Sequence, residues 1–276
     1  MLTRQEIVEK LYSDINTRTG VPKMPTGIED IDKLTWGVHK GELMVVAARP
    51  SMGKTSLMLN MAWGLSKNGK SVIFASLEMS KMAIYERLMC IEFLLHGWKL
   101  RTGELNEIRN AHDIKDKFLS RLITAPIEVF DDRAKSIEDV EKLLEEFRPE
   151  ALFIDYIQKI SSKGSPNKYE AISNYVVKLQ SFAIKYDCAI VLSSQLNRGG
   201  SGVENAVDNM KGSGEIEESA DTLLQCRWLA REDSARLDHK EYIVNAIKQR
   251  HGPCDYVVLD FNAGSFSFSS RAFKTK

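Results

Sequence analysis

The sequence predicts an α/β protein, a mostly parallel central sheet flanked by helices with antiparallel strands added at the C-terminal edge. Three observations carry this. From residue 41 onward, short apolar runs alternate with helix-period segments. The runs at 43–47 and 151–154 are continuously apolar, as strands covered on both faces are. The C-terminal segments 221–229, 241–249 and 255–261 read as strands joined by turns with no helix between them, which adds antiparallel strands to a parallel sheet.

Each element has a local reason. Residues 3–16 form an amphipathic helix, with Ile7, Val8, Leu11 and Ile15 near one face and Thr3 and Glu6 in capping-box spacing. The breaker-rich stretch 19–27 reads as a linker. A strand at 43–47 leads through a turn into a helix ending near residue 65, before Asn68-Gly69, and the next strand is 71–77. Helices are expected over 80–96 and 104–119, a strand over 127–130, and a helix opened by Ser136 that runs to about 147. The strand 151–154 ends at Asp155, followed by a polar loop at 161–168, a helix at 169–186, a strand at 188–193 and a Gly-rich segment at 197–214. There is no internal repeat and no low-complexity tract.

Bulk properties exclude several classes. The chain has 276 residues, with Lys+Arg 38 balancing Asp+Glu 38. A whole-surface nucleic-acid binder is usually basic, so any such contact must come from a local cluster. Cys90, Cys188, Cys226 and Cys254 form no C-x-x-C pair, and the reading is of reduced thiols in a cytoplasmic protein rather than a metal site. No apolar run approaches the roughly 20 residues that span a bilayer, and the N-terminus lacks the apolar core of a signal peptide.

The strongest chemical signal is the phosphate-loop pattern G-x-x-x-x-G-K-[ST], met here by Ala48-Arg49-Pro50-Ser51-Met52-Gly53-Lys54-Thr55 with Ser56 next, between a strand and a helix. Backbone N–H groups and the helix N-terminus suit a phosphate, and Gly53 lets the backbone approach. Lys54 supplies charge to the β- and γ-phosphates, and the Thr55 hydroxyl suits Mg²⁺. The pattern departs from its first glycine at Ala48. Asp155, closing a buried strand, is the candidate carboxylate for the metal. Glu78 and Gln195 follow strands at the edge where open α/β sheets bind ligands. Glu78 is a candidate to orient water and Gln195 to sense a γ-phosphate, each against the plain alternative of a surface residue.

Taken together, Pro25-Thr26-Gly27, the loop 47–55, Ser76-Leu77-Glu78-Met79-Ser80, Ile154-Asp155-Tyr156, Ser194-Gln195-Leu196-Asn197-Arg198, Gly212-Ser213-Gly214-Glu215-Ile216-Glu217 and Lys248-Gln249-Arg250-His251-Gly252-Pro253 resemble the C-terminal motor domain of DnaB-type replicative helicases, of the RecA-like P-loop NTPase superfamily. That family commonly carries alanine at the position of Ala48. The resemblance covers about residues 20–265 and divides the chain into a linker-type helix at 1–19 and a motor domain at 20–276. It implies ATP and Mg²⁺ as cofactors, Glu78 as the catalytic glutamate, Asp155 as the Walker B aspartate, and Gln195 as the link from γ-phosphate to DNA-facing loops. Arg250 looks like an arginine finger with Lys248 as its partner, both reaching the ATP of an adjacent subunit; taken alone, the two read as a solvated basic pair on an edge strand. The implied partners are single-stranded DNA, further copies in a hexameric ring, and a primase or helicase loader, with no membrane. Lys163, Lys168, Arg198, Gly199, Gly200 and Lys211 are the candidate DNA contacts, through cations and backbone N–H groups without base stacking. The second loop is less charged than the family's usual segment. The other reading is a RecA-like ATPase that does not unwind, a recombination accessory or KaiC-like regulatory switch, separable by DNA-stimulated hydrolysis and unwinding of a forked duplex.

Deleting residues 1–19 is expected to weaken ring assembly, measured by light scattering; an oligomer of unchanged mass refutes it.

Overall fold

The computed structural model describes residues 3–16, 22–104, 111–157, 168–196, 214–229 and 239–271. Helix α1 (Arg4–Asn16) opens with the expected reciprocal cap: the Thr3 backbone N–H donates to the Glu6 carboxylate at 2.6 Å, and the Glu6 N–H donates to the Thr3 hydroxyl at 3.2 Å. Its side chains Ile7, Val8 and Tyr12 are exposed. Of the stretch expected to be a linker, residues 22–27 are described, and they are held against the body before α2 (Glu29–Thr35). Met24, Thr26 and Ile28 are buried. The Asp32 carboxylate accepts from the Thr26 N–H (2.7 Å), the Thr26 hydroxyl (2.8 Å) and the Gly27 N–H (3.2 Å). Thr26 and Gly27 therefore belong to a turn fixed by an acidic side chain.

The body then runs β1 (Leu43–Ala48), α3 (Lys54–Lys67), β2 (Val72–Ser76), α4 (Lys81–Phe93), α5 (Gly97–Thr102), α6 (Ala111–Thr124), β3 (Ile127–Phe130), α7 (Ile137–Phe147), β4 (Ala151–Asp155), α8 (Lys168–Tyr186), β5 (Ala189–Gln195), α9 (Gly214–Ser219), β6 (Thr222–Trp228), β7 (His239–Gln249), β8 (Tyr256–Asn262) and β9 (Ser267–Ser270). The strands form one sheet in the order β3-β2-β4-β5-β1-β6-β7-β8-β9. The strands from β3 to β6 are parallel, and the pairings from β6 to β9 are antiparallel. This is the predicted class, with β9 as an unanticipated edge strand.

Strand alternation gives the sheet two cores. Met44, Val46 and Ala48 pack with Leu57, Met58 and Met61 of α3 on one face. Leu43, Val45 and Ala47 pack with Val140 and Leu144 of α7 and Val176 and Leu179 of α8 on the other. Capping sets α7 where the sequence put it, since Ser136 and Asp139 form a full capping box. The expected helix over 80–96 stops at Phe93 because Leu94 takes a left-handed conformation (φ 52°). The helix expected over 104–119 is displaced: Gly103 (φ 79°) ends α5, and α6 spans Ala111–Thr124, carrying Leu122 onto the core. Residues 105–110 lie outside the described residues, as do the polar loop at 161–167 and the Gly-rich segment at 197–213.

In the β6–β7 ladder Leu224 pairs with Ala246 but Leu223 pairs with Lys248, so Ile247 is an extra residue, a β-bulge. Before it, Tyr242, Val244 and Ala246 face the α3 core. After it, Lys248 shares the face of Leu223, which belongs to the α7–α8 core.

A Cβ added at Gly64 lies 1.8 Å from the Thr26 carbonyl oxygen. Gly64→Ala should therefore destabilise by about 3 kcal/mol, read as a lower thermal midpoint by circular dichroism. Cys90, Cys188 and Cys226 are buried and Cys254 is exposed. Burial pushes the Cys90 thiol up to about 11 and those of Cys188 and Cys226 up to about 12. A thiolate-selective reagent at about pH 8 should label Cys254 in the native protein and the other three only on unfolding.

Candidate functional site

The site forms where β1 turns into α3. β1 sends its connection toward β2 on one side, and β5, its neighbour, leads on toward β6 on the other. A switch in winding at the carboxyl ends of parallel strands leaves a crevice. Gly53, the N-cap of α3, sits at φ 80°, which suits glycine. Ser51 is also left-handed at φ 59°. Ala48 explains its own departure from the motif. It completes β1 with its methyl fully buried in the α3 core, and it is absent from the positive-φ positions, so glycine is not required there.

Lys54 opens α3 and turns its ammonium back over the loop, donating to the carbonyls of Ala48 (3.1 Å) and Arg49 (3.4 Å). Burial lowers its pKa, while the carboxylates of Asp155 and Glu78 act to hold its charge. The Thr55 hydroxyl donates to Asp155 Oδ2 at 2.6 Å, and Ser193 donates to Asp155 Oδ1. Asp155 is 2% exposed, so this carboxylate is oriented at both oxygens by neighbours. Register places the remaining groups. Ser76 pairs with Asp155 and Ala48 with Gln195. The Leu77 N–H donates to the Asp155 carbonyl at 2.7 Å, and the Leu196 N–H to the Ala48 carbonyl at 3.0 Å. Glu78, two residues past β2, is exposed. The structure thus brings Lys54, Thr55, Glu78, Asp155 and Gln195 to one edge of the sheet.

Sequence reasoning missed two groups here. Ser193 reads as any small strand residue until register puts it beside Asp155. Arg87 lies two turns along α4, its guanidinium 5.0 Å from the Phe266 ring. Burial lowers the Arg87 pKa, with Asp155, Cys90 and Glu78 opposing.

Lys248 and Arg250 are elsewhere. Cys226 pairs with both Ala48 and Val244, whereas Thr222 pairs with Met44 and Gln249. Arg250 is therefore level with the start of β1, five residues from Ala48, a strand distance of roughly 17 Å at the usual rise. β7 lies between β6 and β8, so this is no edge strand, and neither cation is simply solvated. Arg250 Nη1 pairs with Asp221 Oδ1 at 2.7 Å. Lys248 Nζ donates to the carbonyls of Glu217 (2.6 Å) and Glu218 (2.8 Å) at the end of α9. Of the candidate DNA contacts, Lys168 opens α8, while Lys163, Arg198, Gly199, Gly200 and Lys211 lie outside the described residues.

Comparison with known proteins bears on this arrangement. The family model for the DnaB-like helicase C-terminal domain matches residues 23–270. The probable replicative DNA helicase of Trieres chinensis is 33% identical over 269 residues, covering 89% of this chain and 56% of that protein. The replicative DNA helicase DnaC of Bacillus subtilis (strain 168) is 30% identical over 270 residues, covering 92% and 57%. The chain thus spans a little over half the length of these relatives. Among solved structures, one ATPase domain superposes with a TM-score of 0.87 at 24% identity, covering 98% of this chain and 99% of its own. A DnaB-like replicative helicase studied with primase gives 0.84 at 24%, covering 97% and 70%. These two likenesses establish a shared RecA-like fold. The family match extends from before the first strand to the last residue of β9, and this chain accordingly belongs to the DnaB-like helicase C-terminal domain family.

Proposed function

We propose that the chain is the ATP-hydrolysing motor of a replicative DNA helicase, working as a ring on single-stranded DNA. In this reading residues 48–56 cradle the phosphates, with loop N–H groups and the Lys54 ammonium as donors. Lys54 needs only to leave the Ala48 and Arg49 carbonyls to do so. A hydroxyl and a carboxylate 2.6 Å apart, Thr55 and Asp155, are the hard oxygen donors that suit Mg²⁺. When bound, that ion neutralises charge on the phosphate oxygens. Ser193 keeps Asp155 turned toward Thr55. Glu78 orients the water that attacks the γ-phosphorus as the bond to the β–γ bridging oxygen breaks, and takes its proton. Gln195, beside the loop, carries the γ-phosphate state toward the segment after β5.

The observation that carries the reading is a separation. The phosphate loop follows the carboxyl end of β1, whereas Arg250 lies level with its amino end and Lys248 level with Val45, on the face away from the α3 core. A cation there cannot serve its own loop but can be offered to the next copy, where it stabilises charge on the transferring phosphoryl group. Hydrolysis then depends on assembly. Residues 1–19 act as a linker-type helix docking on a neighbour, and the exposed Ile7, Val8 and Tyr12 support a partner for it; residues 20–276 form the motor. Lys163, Lys168, Arg198, Gly199, Gly200 and Lys211 face the DNA, a primase or loader is the further partner, and the setting is the cytoplasm.

The test is ATP turnover and forked-duplex unwinding with and without single-stranded DNA. Wild-type turnover should rise with DNA, and Lys54→Ala should lower it at least about 100-fold. Turnover indifferent to DNA at every protein concentration sinks the motor reading, and normal turnover in Lys54→Ala refutes the phosphate assignment.

A further inference from the structure

We infer that Asp221 is a positioning residue for Arg250, fixing its guanidinium in the orientation offered to the phosphate site of a neighbouring copy. This rests on the reading that Arg250 acts across an interface.

Asp221 lies between α9 and β6, and its side chain is 4% exposed. A buried carboxylate is costly unless both oxygens are engaged, and here they are. Oδ1 pairs with Arg250 Nη1 at 2.7 Å, and Oδ2 accepts from the Leu43 N–H at 2.9 Å. The backbone repeats the connection, with the Arg250 N–H donating to the Asp221 carbonyl at 2.8 Å and the Asp221 N–H to the Leu43 carbonyl at 2.9 Å. Arg250 is thus held at main chain and side chain by one residue, which is itself fixed to the first residue of β1.

The guanidinium is not buried with its partner. The Arg250 side chain is 48% exposed, and a guanidinium has five N–H donors in a fixed fork. A carboxylate engaging one end leaves donors directed outward. An anchored, half-exposed arginine loses little further rotamer freedom when it meets an anion, which is what preorganisation requires. Lys248 is presented alongside. Lys248, on β7, is tied to carbonyls near the end of α9, and Arg250, the residue after β7, to the residue two beyond that helix. Gln249 points the other way, onto the Leu34 and Pro253 carbonyls. The α9–β6 junction is therefore a cradle for two cations, with Asp221 as its charged member. Nothing in the sequence marks it, since the pair spans 29 positions and depends on the bulge in β7 for its facing.

The competing account is a clasp that merely joins β1, β6 and β7. Asp221→Asn separates the two, because an amide oxygen still accepts from the Leu43 N–H while its N–H₂ end cannot hold a guanidinium. In the assembled protein kcat should fall about 10- to 100-fold, the scale of a misplaced catalytic group, with KM for ATP and binding of an ATP analogue changed less than about twofold. Adding Asp221→Asn to Arg250→Ala should cost nothing more. Mixing Asp221→Asn with Glu78→Gln subunits should recover turnover, since each supplies what the other lacks, and mixing it with Arg250→Ala should not. Turnover retained or raised in Asp221→Asn, loss of analogue binding in parallel, or no recovery with Glu78→Gln overturns the positioning role. If Asp221→Asn does not fold, Asp221→Glu is measured the same way, its longer side chain displacing the guanidinium with the charge kept. Should Arg250→Ala itself retain turnover, the reading across the interface fails instead, and the two failures are told apart by that one variant.

Discussion

The structure depends on the burial of β1. All six of its residues are buried; it has parallel partners on both sides and helices over both faces. A strand so enclosed has no freedom in register, because slipping by one residue exchanges the sets that face the two cores. Its ends are therefore fixed points. At the carboxyl end the chain must leave through Gly53 and begin α3, which turns the first N–H groups of a helix toward the crevice. At the amino end the Leu43 N–H and carbonyl are taken by Asp221. The chemistry proposed for this protein sits at those two ends.

Much of this was legible in the sequence, and for a physical reason. Continuous apolar runs mark strands enclosed on both faces, and β1, β2, β4 and β5 lie within a residue or two of where they were expected. The helix start at Ser136 and the Asn68-Gly69 stop are local signals and are readable locally; Asp139 as the partner of Ser136 in the cap is seen only in the structure. The loop motif gave Lys54 and Thr55, and strand ends gave Glu78, Asp155 and Gln195, because the carboxyl edge of a parallel sheet is where a chain exposes side chains to a ligand.

What was hidden depends on contacts between distant segments. The turn before α2 looked like a linker because proline and glycine signal irregular backbone, whether free or held, and only Asp32 and Gly64 decide which. Ser193 needs the β4–β5 register to find Asp155. Asp221 needs both the β1–β6 pairing and the irregular β6–β7 ladder before it meets Arg250. The family resemblance implies the role proposed for Arg250 and Lys248 but not what holds them, since in sequence each is merely a basic residue near the end of a strand.

The extra residue Ile247 has a larger meaning than its size. Tyr242, Val244 and Ala246 belong to the core beneath this chain's own phosphate loop, where Tyr242 and Trp228 back Gly53. With strict alternation Lys248 and Arg250 would project from that same side. One inserted residue reverses the parity, so under the proposed function the strand backs its own phosphate loop along one half and carries the cations offered to a neighbour beyond the bulge. Excising one residue there would leave the fold's layers in place but turn the two cations inward, and under the proposed function nucleotide would still be held while its turnover lost its tie to the copy beside it.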